Sequence, residues 1–156
     1  ATMYVGAAYH RLARGDVLPR APVSRLLSRM GRPHRGAPPM QSVPSGTRLS
    51  FPGLEVTAVA LPGHTPGSMA YATGGILFAG DAAWLTGDTL RPWPWGFSES
   101  PRHARAILPR LLGVPFESIA DGHTGFAADG RTRLERYLAA HPEVGKGWTA
   151  TTAGNG

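Results

Sequence analysis

The middle of the chain alternates short apolar runs with turns rich in Gly and Pro. Residues 47–51, 55–61, 69–73 and 76–79 each read as a strand. Gly74-Gly75 separates the last two and signals a two-residue hairpin. Residues 56–61 are apolar on both faces, as expected of a strand inside a layered sandwich. Upstream, residues 2–7 read as a short strand leading into a helix near 8–14. Val23, Leu26, Leu27 and Met30 follow the i, i+3, i+4, i+7 spacing of an amphipathic helix, with Arg25 and Arg29 outside. Residues 31–46 are dense in Gly, Pro and Arg and read as a long loop or lid.

Downstream, residues 82–98 read as irregular and aromatic, holding Trp84, Trp93, Trp95 and Phe97. Ser100-Pro101 supplies an N-cap and a first-turn proline for a helix whose inner face is Ala104, Ile107, Leu108, Leu111 and Leu112. Pro109 should interrupt it. Residues 116–120 read as a strand, and Asp129 should cap a last helix ending near Ala140, before Pro142. One domain over residues 1–145 and a flexible tail over 146–156 are expected.

Composition narrows the chemistry. The chain has 156 residues, 42% of them hydrophobic, and no Cys. Disulfides and thiolate metal sites are therefore excluded, and a transition metal would rely on His and carboxylates, which suit zinc, iron or manganese. No apolar run approaches the roughly 20 residues that span a bilayer, and no signal peptide is visible, so a cytoplasmic location is expected. Net charge is +6, and the stretch from Arg11 to Arg35 carries seven Arg against Asp16 alone. Without interleaved aromatics or a nucleic-acid motif, that stretch reads as a solvated basic face rather than a nucleic-acid interface.

Three short strings bear candidate chemistry, each just past an expected strand. Leu61-Pro-Gly-His-Thr-Pro-Gly-Ser68 holds His64 in a rigid turn. Ile76-Leu-Phe-Ala-Gly-Asp81 delivers a carboxylate at the end of an apolar strand, where an unpaired Asp is costly. Ile119-Ala-Asp-Gly-His-Thr-Gly125 repeats the strand-then-His pattern at His123. Alone, each is an ordinary turn or cap. Their order and spacing carry the signal: Asp81 stands 17 residues after His64, and His123 stands 42 after Asp81.

From about Thr47 to about Ala140, more weakly back to Thr2, the chain resembles the metallo-β-lactamase-fold superfamily, in its glyoxalase II and general metal-dependent hydrolase branch. His-Thr-Pro-Gly-Ser at 64–68, Phe-Ala-Gly-Asp at 78–81 and Gly-His at 122–123 carry the resemblance. It implies an α/β protein with an αββα sandwich. It also implies that His64 ligates a first metal, Asp81 bridges two metals as the catalytic carboxylate, and His123 ligates the second. The cofactor implied is zinc, two ions in an intact site, with iron or manganese suited to the same donors. In such a site the metals activate a water for attack on a carbonyl or phosphoryl centre. An Asp at position 81 resembles the glyoxalase II and general-hydrolase branches, so antibiotic breakdown is not expected, and the resemblance implies an ester, thioester or lactone substrate.

The family's first motif, His-x-His-x-Asp-His, has no counterpart here. The His residues are His10, His34, His64, His103, His123 and His141, and none of the others sits in a matching context. The fold is therefore expected to be N-terminally truncated or incomplete, with one metal or none. Two readings follow: part of a metal-dependent hydrolase with a small-molecule substrate, or a non-catalytic degenerate domain that binds a ligand or protein partner. An oligomer of this chain, or a complementing N-terminal segment, is the expected cover for a half-sandwich. Trp84, Trp93 and Trp95 are the candidate substrate-binding residues, since they directly follow Asp81.

Overall fold

The computed structural model describes residues 2–6, 8–9, 19–30 and 39–145, without the side chains of 27–30 and of Trp95. His10, His34, most of the Arg11–Arg35 stretch and the tail over 146–156 lie outside the described residues.

Among the described residues, ten strands and three α-helices follow in chain order. They are β1 (Met3–Val5), α1 (Pro22–Met30), β2 (Met40–Ser42), β3 (Arg48–Phe51), β4 (Leu54–Ala60), β5 (Met69–Thr73), β6 (Ile76–Gly80), β7 (Trp84–Thr86), β8 (Thr89–Arg91), α2 (Pro101–Ile107), β9 (Ser118–Asp121), β10 (Phe126–Ala127) and α3 (Gly130–Ala140). One six-stranded sheet, in the order β10-β9-β6-β5-β4-β3, organises the chain. Its pairs are antiparallel except β6 with β9.

Register explains which face is buried. Ala127, Ile119, Leu77 and Ala72 stand opposite one another along one row. They lie in a core with Ile107, Leu108, Leu111, Phe116, Leu134 and Tyr137, contributed by α2, the segment after it and α3. The adjacent row places Phe126, Ala120, Phe78, Tyr71 and Ala58 on the opposite face. There Phe78 is 46% exposed and Phe126 60% exposed. The small parallel pair of β1 and β2 reaches this side: the Tyr71 hydroxyl donates to the Tyr4 carbonyl at 2.7 Å, and Tyr4 meets Phe51 edge-on at 5.9 Å. Among the described residues, one full layer of the sandwich is present and the second is fragmentary.

The α1 helix and the β5–β6 hairpin form as the sequence predicts. Ala58 and Val59, on opposite faces of β4, are both buried, while Val56 is only half-buried. Several expectations need correction. The segment over 31–46 is not all loop, because β2 pairs with β1. The region over 82–98 is not irregular throughout: Gly87-Asp88 closes the β7–β8 hairpin, and Trp95–Phe97 forms a 3-10 turn. The strand expected at 116–120 is Ser118–Asp121, and β10 follows it. Ser100 caps α2 by accepting from the His103 N–H at 3.3 Å. Beyond Ile107 the backbone tightens into a 3-10 helix at Leu108–Gly113, containing Pro109. With about three residues per turn instead of 3.6, that tightening turns Leu112 out of the expected face, and Leu112 is exposed. Leu26 is also exposed, on a helix whose main contact is the Trp95–Phe97 turn. Asp129 makes no side-chain cap on α3, because its carboxylate is taken by Arg133 Nε at 2.7 Å. Among the described residues, no helix is long and apolar enough to cross a membrane.

Candidate metal centre

Three strand ends meet at one edge of the large sheet. The first is the turn after β4. Leu61 N–H donates to Ser68 O at 2.9 Å, and Thr65 N–H donates to Ser68 Oγ at 3.0 Å, so residues 61–68 close on themselves. The start of α2 then clamps the turn: Ser100 N–H donates to Gly63 O at 2.9 Å and Glu99 N–H to His64 O at 3.0 Å. His64 is held from both sides of its backbone.

The second strand end is β6. Its register against β9 shifts between Phe78 and Gly80, and Gly80 takes a φ of 50°. A bulge of this kind re-aims the next side chain, and here that side chain is Asp81. The third is β9, which ends on Asp121. Asp121 Oδ1 accepts from the N–H groups of His123 (2.9 Å), Thr124 (2.6 Å) and Gly125 (3.0 Å). Asp121 Oδ2 accepts from Leu85 N–H at 2.8 Å and from the Thr124 hydroxyl. One carboxylate thus shapes the His123 loop and ties it to β7. Burial opposes ionisation of Asp121, but the Thr124 hydroxyl and the N–H groups of Leu85, Gly125 and His123 outweigh it. They hold the carboxyl well below the usual carboxylate range.

The result is convergence on Asp81. His64 Nε2 lies 3.3 Å from Asp81 Oδ2, and His123 Nε2 lies 2.9 Å from Asp81 Oδ1. The side chain of His64 is 16% exposed, Asp81 34% and His123 55%, so the cluster grades from a buried imidazole to an open one. Burial lowers the pKa of His64 against the pull of Asp81 and Glu99, with His123 adding to the lowering. Its ring is therefore neutral at pH 7, the form that ligates metals. Among the described residues, the buried His64 Nδ1 has no hydrogen-bond partner.

Two ligands each about 2.0–2.1 Å from one ion, at angles between square and tetrahedral, stand about 2.9–3.4 Å apart. The two imidazole–carboxylate distances match that spacing, and they equally match hydrogen bonds. The donor types fit a metal and their number falls short. Each ion would meet one imidazole and one carboxylate oxygen, whereas catalytic zinc takes three protein ligands. Among the described residues, no group of three or more His, Asp or Glu side chains is arranged to hold an ion.

The tryptophans divide. Trp93 packs on both imidazoles, at 4.8 Å from the His123 ring and 6.1 Å from the His64 ring. Trp84 lies 5.3 Å from Trp93, with its Nε1 buried and without a partner among the described residues. The side chain of Trp95 lies outside the described residues. His103 is exposed on α2, and His141 stacks on Tyr137 at the end of α3, so neither joins the cluster. A cavity of about 730 Å³ lies at the opposite end of the sheet, beside Gly74-Gly75, Phe116 and Arg131, and does not include the cluster. Sequence reasoning missed Asp121 and Thr124. The available signal was an Asp followed by Gly and a run of backbone donors, which favours a side-chain-to-backbone turn.

No family model matches the chain. It is 30% identical over 79 residues to the hydroxyacylglutathione hydrolase of Aeromonas hydrophila subsp. hydrophila, an alignment covering 51% of this chain and 29% of that protein. A metallo-beta-lactamase family protein from Thermus thermophilus superposes with a TM-score of 0.60 at 25% identity, over 92% of this chain and 53% of that one. A protein solved in a di-iron-bound form superposes with a TM-score of 0.57 at 23% identity, over 90% of this chain and 64% of that one. The chain spans less than two thirds of each of them. With its sheet, its helical layer and its strand-end cluster in place, the chain is a metallo-β-lactamase-fold protein.

Proposed function

We propose that this chain carries one half of a dinuclear metal centre and serves a metal-dependent hydrolase acting on an ester, thioester or lactone. His64 and His123 are the terminal ligands in this reading, and Asp81 is the bridge. One observation carries it: two imidazoles approach two different oxygens of a single carboxylate. An orienting His–Asp pair needs one imidazole, whereas a carboxylate shared between two ions accounts for both. The likeness to a hydroxyacylglutathione hydrolase supports the hydrolytic class, and the likeness to a di-iron-bound protein supports a paired-metal site. Zinc or iron suits the imidazole and carboxylate donors. Trp93, which packs on both imidazoles, faces the substrate in this proposal, with Trp84 packed against it. The remaining donors, and the cover for the face bearing Phe78 and Phe126, come from a complementing N-terminal segment or a second copy of the chain.

A second reading rests on the two-donor shell: a degenerate, non-catalytic domain that binds a ligand or partner. Calorimetric titration with Zn²⁺ separates the two. The first reading expects weak binding that falls at least about 100-fold in His64→Ala and in His123→Ala, beyond the 10–100-fold typical of losing an outer-shell partner. Two tightly bound ions per chain would refute the incompleteness of the site. No binding by the folded chain would favour the degenerate domain.

A further inference from the structure

Metal-binding imidazoles are usually oriented through their second nitrogen, which donates to a carboxylate, a backbone carbonyl or water. Neither imidazole at this site has a protein group on its second nitrogen among the described residues. The buried His64 Nδ1 has none. His123, more than half exposed, has its ring against Asp81 and Trp93, and it reaches Asp121 through its backbone N–H rather than its ring. Trp93 is the group that touches both rings, tilted 31° over His123 and edge-on at 82° to His64.

Trp93 is itself unusually fixed. Pro92 and Pro94 flank it. Proline locks its own φ and confines the residue before it to extended backbone, so both Arg91–Pro92 and Trp93–Pro94 are restricted. The Trp93 carbonyl accepts from the hydroxyl of Ser98, a buried residue, at 3.2 Å. Phe97 N–H donates to Pro94 O at 3.1 Å and closes the turn that follows. Trp84 packs against the indole at 5.3 Å. A stiff backbone and a second packed ring thus present one indole to two imidazoles with no protein group on the second nitrogen among the described residues.

We infer that Trp93 is a positioning residue that locks the His64 and His123 rings onto Asp81, in the place of the usual second-nitrogen hydrogen bonds. The inference rests on the proposed metal centre for its purpose, and on ring packing alone for its geometry. Ring packing removes rotational freedom from the imidazoles before any ligand arrives, which raises affinity by reducing the ordering cost of binding.

The test uses the metal-free chain first. NMR relaxation of selectively ¹³C-labelled imidazoles reads ring order at His64 and His123, with His141, stacked on Tyr137 at 4.3 Å, reporting retention of the fold. Trp93→Ala, and Trp93→Leu as a better-packed second variant, are expected to lower the order of His123 most and His64 next, with His141 unchanged. Trp93→Phe, which keeps a flat ring, is expected to restore most of it. Unchanged order at both imidazoles in a folded Trp93→Leu chain overturns the inference. Zn²⁺ affinity is then expected to fall about 10–100-fold in Trp93→Leu and to recover in Trp93→Phe. If ring order falls as expected while the wild-type chain binds no Zn²⁺, Trp93 keeps its positioning role and the metal reading is the part that fails.

Discussion

Replacing Asp121 with Ala is expected to lower the free energy of unfolding by about 3–4 kcal/mol and to release the loop that carries His123. Four backbone N–H groups and one hydroxyl converge on this carboxylate. A hydrogen bond to a charged group contributes about 1.5–3 kcal/mol net, and a buried donor left unpaired costs about 1–3 kcal/mol. The sum is not additive. His123, Thr124 and Gly125 are exposed, so water recovers part of the loss there. Leu85 is buried, and water replaces the carboxylate poorly at its N–H. Asp121→Asn is expected to cost less, about 2 kcal/mol, because one oxygen can still accept from the loop while the amide NH₂ faces the Leu85 donor. Urea unfolding measures both, and a loss below about 1 kcal/mol for Asp121→Ala would contradict the assignment. The sign of the pH dependence is fixed by the depressed carboxyl. Its contribution is fully present above the ordinary carboxylate pKa of about 3.9 and is lost as pH falls below that toward the folded value. The gap between wild type and Asp121→Asn should therefore narrow in acid.

That role for Asp121 shows where sequence reading stops. His64, Asp81 and His123 were legible because each follows an apolar strand in a fixed order, and strand ends on one edge of a sheet meet without further instruction. The β5–β6 hairpin was legible because Gly-Gly between two apolar runs has few other uses. The β7–β8 hairpin was not, since two strands of three residues, crowded by tryptophans, give little alternation to read. Leu112 was misplaced because helical periodicity was extended past Pro109, where the backbone tightens. Asp129 holds the N-cap position as expected, but its side chain does not cap, because an Arg four residues on competes for its carboxylate, a contest that depends on rotamers. Asp121 offered only a turn signal. Its reach to Leu85, 36 residues away, is a tertiary fact.

Gly122 lies between Asp121 and His123, and Gly122→Ala is expected to disable the cluster while leaving the fold nearly intact. A Cβ built there lies 2.6 Å from Asp81 Oδ1, closer than such atoms approach, so something must shift. Its next neighbours are the backbone carbons of Gly80 at 3.5 and 3.6 Å, ordinary contact distances. The atom that gives way is therefore the carboxylate oxygen, which a side-chain rotation moves at small cost. Stability should change by less than about 1 kcal/mol, the range of substitutions that leave packing undisturbed. The same oxygen faces His123 Nε2 at 2.9 Å, and rotating it also swings Oδ2 away from His64. One methyl group, carrying no charge, should thus mimic removal of the Asp81 carboxylate. Zn²⁺ affinity is expected to fall about 100-fold, comparable to Asp81→Ala and at the upper end of outer-shell effects. Calorimetry paired with urea unfolding checks this, and unchanged affinity in a folded Gly122→Ala chain would show that Asp81 does not bind metal through the conformation seen here. A crystal structure of the variant reads the rotation directly, so the geometric claim stands or falls even if no metal binds.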